Sequence, residues 1–326
     1  MSPSLDELLA QMLSPQRAPP GIREAWGHVA EFALRPGKRV RPRLVSLGWQ
    51  AAGGASPEPR GLVQFAAGLE LMHAFFLVHD DIADCADTRR GGPALHRTLG
   101  GGRAGEQLAV VAGDLLFVEA TDALLSCGLP NAVEATRAVL AICRDTAAGQ
   151  FLDLTFAELP LEKVCPSSAR RAELLKTARY TIEAPLVAGA MLAGGRAELL
   201  AALRRFAQPL GLAYQFRDDL LPFLREACDK PALADLAGGK KTWLIAIAWQ
   251  SLDETGRAEL QRCLRCDDPS ALARARGLLM ACGALTRAQD ETARLCALAR
   301  RQLAHPSLAA VRTDLEQLVC LIERLT

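Results

Sequence analysis

Apolar residues return every three or four positions in segment after segment of this chain, as in ELMHAFFLVHDDIAD (70–84) and RFAQPLGLAYQFRDD (205–219), while period-two alternation of β-branched and aromatic residues is scarce. That spacing lines one face of a helix with apolar side chains and predicts an all-α chain. Breaks fall at SPQRAPPG (14–21), LRPG (34–37), GGASPEPRG (53–61), RRGGP (89–93), GGGRAG (100–105), SCGLP (126–130), CPSS (165–168), GG (194–195) and DKPALADLAGG (229–239). About ten or more helices are expected between them. No linker is long or low in complexity and no period repeats, so one domain over 1–326, a helical bundle around a central cavity, is expected.

Composition narrows this picture. Half of the residues are apolar but only 5% are aromatic, which suits helices around an aliphatic core. Lys plus Arg (38) nearly cancels Asp plus Glu (37), so no global field draws in nucleic acid, and any anion site must be local. Ten cysteines at irregular positions and the absence of a secretory pattern point to a reducing cytoplasm. The pair Cys263 and Cys266 lacks the second pair that a zinc site needs. No run reaches the roughly 18 apolar residues of a membrane span, since those around Val110 and Trp243 are broken early, and no span is expected.

Two acidic clusters carry the candidate chemistry. Asp80 and Asp84 lie one helical turn apart on the same face, with Asp81 beside them and Arg89 and Arg90 following. Crowded carboxylates demand cations, and all-oxygen ligands of this kind suit Mg²⁺ that also touches phosphate; guanidinium forks suit the phosphate oxygens. Taken alone, such a cluster is more often a solvated helix end. The arrangement recurs downstream, however: an apolar helical run, Asp218 and Asp219, then Lys230, Asp235, Lys240 and Lys241. Two such helix ends meeting at the mouth of a bundle would gather divalent ions around one polyanion. A phosphate-cradle reading of AGGKKT fails, because the first glycine of that pattern falls at Ala234, Lys241 follows Lys240, and no strand precedes it.

On these residues the chain resembles the trans-isoprenyl diphosphate synthases, or polyprenyl synthetases, along nearly its whole length. GKRVRP (37–42) resembles the family element whose lysine and arginine, here Lys38 and Arg41, hold isopentenyl diphosphate, with His73 and Arg90 completing that pocket. HDDIAD (79–84) resembles the first aspartate-rich motif, with Asp80, Asp81 and Asp84 as magnesium ligands and Arg89 gripping the allylic diphosphate. GQFLDL (149–154), KTARYT (176–181) and YQFRDD (214–219) follow in the family's order. They imply Lys176 on the allylic diphosphate, Thr177 and Gln215 at the reaction centre, Asp218 and Asp219 as further metal ligands, and Lys230 and Lys240 near the same diphosphate. The resemblance implies three Mg²⁺ once diphosphate is bound, ionisation followed by condensation and elimination, and a homodimer.

The second motif departs from the family pattern. Pro222 stands where its last aspartate is usual, and Asp229 replaces the usual glycine before Lys-Pro, so weaker Mg²⁺ affinity is expected. Phe75 and Phe76, five and four residues before Asp80, resemble the farnesyl-type arrangement and imply a C15 product, with C20 as the rival. Two other readings are a non-catalytic subunit of a heteromeric synthase, which Pro222 favours, and a terpene cyclase, which has no need of Lys38, Arg41 and His73.

Overall fold

The computed structural model describes residues 4–224, 236, 238–266 and 268–324. It is all-α, apart from one two-stranded hairpin, and its residues gather into two compact units: 1–138 with 185–196, and 139–184 with 197–326.

The first unit contains α1 (Leu5–Met12), α2 (Arg23–Leu34), α3 (Val40–Ala51), α4 (Arg60–Ala83), the short α5 (Leu95–Thr98), α6 (Gly102–Leu125), the start of α7 (Ala132–Glu158) and most of α9 (Ala184–Leu192). Ser4 and Glu7 close a reciprocal cap on α1. The indole N–H of buried Trp26 donates to the Leu13 carbonyl at 3.1 Å and ties α2 to the end of α1. The core runs along α4 and α6, where Phe65, Leu69, Met72, Leu116 and Leu124 are fully buried. By length and composition α4 is apolar enough to span a membrane, with a mean hydropathy of 1.6 over 18 residues, but 61% of that window is buried inside the protein. Its apolarity serves the core: half-buried charged residues sit at its end, and α6 covers its side.

RRGGP does not merely break the chain. Thr88–Arg89 and Gly92–Pro93 pair antiparallel, with Arg89 opposite Gly92, and Arg90 and Gly91 form the two-residue turn between them. Both turn residues have positive φ, 50° and 77°, the pattern of a type I′ turn.

The second unit contains the rest of α7, then α8 (Pro166–Glu173), a π-helix (Leu174–Glu183), α10 (Ala197–Leu224), α11 (Trp243–Ser251), α12 (Glu254–Cys263), α13 (Pro269–Ala281), α14 (Ala284–Gln302) and α15 (Arg312–Glu323). Phe216 of α10 stacks on Trp243 of α11 at 4.4 Å and 5°. Cys263 is buried in the apolar cluster of α11 to α14 with Leu260, Leu279 and Leu285. Pro209 and Pro222 both lie within α10. Pro222 has no N–H to give the carbonyl of Asp218, four residues earlier.

Candidate active site

The first acidic motif closes α4. Asp81 has no exposed surface, and its carboxylate accepts from Arg89 Nε at 2.6 Å. Burial pushes the Asp81 pKa up to about 6, Arg89 opposes that rise, and the charges of Asp80 and Asp84 add to it. Asp80 and Asp84 are thus both close enough to repel Asp81. Asp80 and Asp84 are half-buried, and both are hard-oxygen donors whose repulsion of Asp81 a divalent cation would relieve. Asp81 anchors Arg89 through Oδ1, while its buried Oδ2 has no hydrogen-bond partner among the described residues. Among the described residues no three His, Cys, Asp or Glu side chains converge into a preformed metal site.

Two to three turns earlier on α4, half-buried His73 faces a crowd of guanidinium groups. Burial, then Arg41, Arg90, Arg89 and Arg39 hold its pKa well below the usual imidazole range, so the ring is neutral at pH 7 and can both donate and accept. Arg90 is itself lowered by burial and by Arg39, Arg41 and Arg89, against the opposing charge of Glu70. Its guanidinium lies over Gly37, where an added Cβ would stand 3.2 Å from Cζ. Arg39 is committed to Glu70 at 2.8 Å and Asp6 at 3.3 Å. Arg41 is buried and Lys38 exposed. Concentrated like charge around a neutral donor is the electrostatic form of an anion pocket.

Phe75, also on α4, contacts Phe76 at 4.8 Å, His79 at 4.7 Å and Phe117 of α6 at 5.3 Å between ring centroids. Phe76 is therefore backed by a second ring and Phe75 by a third. Sequence spacing along α4 alone did not show the contribution of Phe117.

In the second unit, Lys176 on the π-helix donates to Asp153 of α7 at 2.6 Å. Thr177 is half-buried beside it. Gln215 Nε2 donates to Asp219 Oδ1 at 2.8 Å, and Asp218 pairs with buried Arg217, whose Nε stands 3.1 Å from Oδ1. Sequence reasoning missed Glu173. Its Oε1 accepts from Trp243 N at 2.6 Å, and burial followed by the charge of Asp219 raises its pKa well above the usual carboxylate range. Its only sequence signal is a carboxylate three residues before Lys176. Gln150, within GQFLDL, has both amide atoms buried without a hydrogen-bond partner among the described residues. Lys240 is half-buried. Lys241 donates to the Ala157 carbonyl at 2.7 Å, and Thr242 caps α11 by accepting from Ile245 N at 3.4 Å, so AGGKKT opens a helix. Lys230, Asp229 and Asp235 lie outside the described residues.

A family model described as polyprenyl synthetase matches residues 24–280. The chain is 35% identical over 243 residues to a short chain isoprenyl diphosphate synthase of Methanothermobacter thermautotrophicus, covering 73% of this chain and 71% of the relative. It is 32% identical over 238 residues to a (2E,6E)-farnesyl diphosphate synthase of Mycobacterium bovis, covering 68% and 62%. A solved geranylgeranyl pyrophosphate synthase from Corynebacterium glutamicum, complexed with isoprenyl diphosphate and magnesium, superposes with a TM-score of 0.88 at 28% identity, covering 99% and 98%.

Proposed function

The chain belongs to the polyprenyl synthetase family, and on that premise we propose that it is a short-chain trans-prenyltransferase joining isopentenyl diphosphate to an allylic diphosphate. The observation that carries this reading is the arginine crowd around neutral His73, two to three turns from the carboxylates of Asp80 and Asp84 at the end of the same helix. An enzyme of this class must hold two diphosphates and stabilise the negative charge that grows on one of them as its carbon–oxygen bond breaks.

Mg²⁺ held by Asp80 and Asp84 at the end of α4, and by Asp218 with Asp219 on α10, would supply charge neutralisation for the departing diphosphate. Asp81 works one step back, fixing Arg89 on that diphosphate. Lys176, oriented by Asp153, and Lys240 add positive charge; Lys230 is assigned the same role. The resulting allylic cation needs dipoles and a dry wall, which Thr177, Gln215 and the buried amide of Gln150 supply. Lys38, Arg41, His73 and Arg90 hold isopentenyl diphosphate so that its double bond meets the cation. Loss of a proton to the released diphosphate then restores the alkene. The free thiols among the described residues fit a reducing cytoplasm. Leu108, Val111, Val118 and Leu125 leave an apolar stripe exposed on α6, which fits a homodimer and is checked by sedimentation.

The test is a single assay with labelled isopentenyl diphosphate, dimethylallyl or geranyl diphosphate, and a Mg²⁺ series. Turnover with half-saturation at high Mg²⁺ is expected, because Pro222 removes one carboxylate. No turnover at any Mg²⁺ concentration would favour the second reading, a non-catalytic partner subunit.

We assign a C15 product, since Phe75, Phe76 and Phe117 form a continuous aromatic stop beneath Asp80. Phe75→Ala and Phe76→Ala should each shift the product to C20 or longer on reversed-phase chromatography of the dephosphorylated alcohols. An unchanged chain length in both variants removes the floor.

A further inference from the structure

The turn that carries Arg90 is built against local preference. Type I′ turns favour Asn, Asp or Gly at both central positions, yet Arg90 adopts φ 50° there, a left-handed conformation in which a long L side chain is strained. Such a residue keeps its conformation only where its surroundings over-determine it.

Arg35, at the end of α2, supplies that constraint. Only 7% of its surface is exposed. Its Nη1 donates to the Arg89 carbonyl at 3.0 Å and to the Pro93 carbonyl at 2.7 Å, so one nitrogen bridges both strands just outside the turn. Its other face is locked: Nε and Nη2 donate to the Glu31 carboxylate at 2.9 and 2.7 Å, and Phe32 lies beneath the guanidinium at 5.2 Å. Gly92 leaves the room, since a Cβ there would fall 2.7 Å from Arg35 Cζ. The side chain is a preassembled peg onto which the hairpin fits, and four hydrogen bonds from one rigid fork hold it there.

We propose that Arg35 is a positioning residue for isopentenyl diphosphate: it holds the Arg89–Gly92 turn so that Arg90 is presented to the substrate in its strained conformation. The proposal rests on the functional reading above. Arg89 depends on it less, because Asp81 anchors the Arg89 guanidinium separately. The two substrates should therefore respond differently.

The experiment measures kcat and the KM of each substrate for the wild type, Arg35→Ala, Arg35→Lys and Glu31→Gln, together with melting temperatures. In Arg35→Ala the KM for isopentenyl diphosphate should rise about tenfold (~1.4 kcal/mol), the allylic KM should stay within about threefold, and kcat per folded molecule should change little. Added guanidinium ion should recover part of the loss in Arg35→Ala. Arg35→Lys and Glu31→Gln should fall between the wild type and Arg35→Ala. Equal rises in both KM values, or a loss of kcat and melting temperature at unchanged KM, overturn the assignment. An inactive wild type instead defeats the functional reading, and calorimetry with inorganic pyrophosphate then decides the Arg35 role directly: unchanged affinity in Arg35→Ala overturns it.

Discussion

Asp80→Asn is expected to lower kcat roughly 10²- to 10³-fold, the scale of removing one preorganised electrostatic contact to a developing charge, without lowering the melting temperature. Three carboxylates share the end of α4; burial pushes the Asp81 pKa up to about 6, and the charges of Asp80 and Asp84 add to that rise. Neutralising Asp80 relieves that repulsion, so stability should hold or rise while the metal-binding chemistry is lost. The neighbouring position should behave differently. Asp81→Asn removes the partner of largely buried Arg89 and should cost about 3 kcal/mol of stability, as when a buried pair is broken from one side. Paired measurements of kcat and thermal unfolding on the two variants read the division of labour. A kcat for Asp80→Asn within about threefold of wild type would remove Asp80 from the machinery.

What the sequence made readable was what depends on residues close together along the chain. Periodicity and punctuation are local, so the helices, the ends of α4 and α10, and the acidic and basic residues beside them could all be placed without coordinates. The roles that escaped depend on partners far apart in sequence. LRPG read as a break, yet Arg35 reaches 54 residues to Arg89 and 58 to Pro93. Asp153 read as one member of a motif, and only the fold pairs it with Lys176. Glu173 had no pattern to belong to, and its perturbed state comes from burial and from Asp219 on another helix. Counting unbroken apolar runs passed over α4, whose long apolar window is mostly buried inside the protein.

The π-helix escaped for a different reason. Ten residues of LLKTARYTIE fit a wide-turn helix as readily as an ordinary one, because two turns are too few to separate the periods. Local ion pairing secures this wider form. Arg179 Nε donates to buried Glu183 at 3.1 Å and also pairs with Asp145, while Gln208 Nε2 reaches the same Glu183 carboxylate at 3.3 Å. π-Helical segments are usually a single turn and often mark functional sites. Here the segment carries Lys176 and Thr177, so the departure from regular geometry falls on the residues assigned to the allylic substrate.

Gly211→Ala should therefore damage both folding and turnover, and the turnover loss should be the larger. Two glycines let neighbouring helices press on the π-helix backbone: a Cβ at Gly149 of α7 would fall inside 3.0 Å of Lys176 N, and one at Gly211 of α10 inside 3.0 Å of the Ala178 carbonyl. Lys176, Thr177 and Ala178 thus lie between two backbones with no slack on either side. An added methyl has no flexible side chain to displace, so the backbone itself must move. Overpacking of this kind costs about 1–3 kcal/mol, which thermal unfolding will record. A displacement of about 1 Å at a substrate-holding group can cost roughly 10²-fold in rate, and Gly149→Ala should produce the same pair of effects from the opposite side. Leu279→Ala is the control: Leu279 is fully buried in the cluster of α11 to α14, so its truncation should destabilise by about 2–5 kcal/mol yet leave kcat per folded molecule nearly intact. If Gly211→Ala loses no more kcat than Leu279→Ala, close packing of the π-helix does not set the position of Lys176 and Thr177.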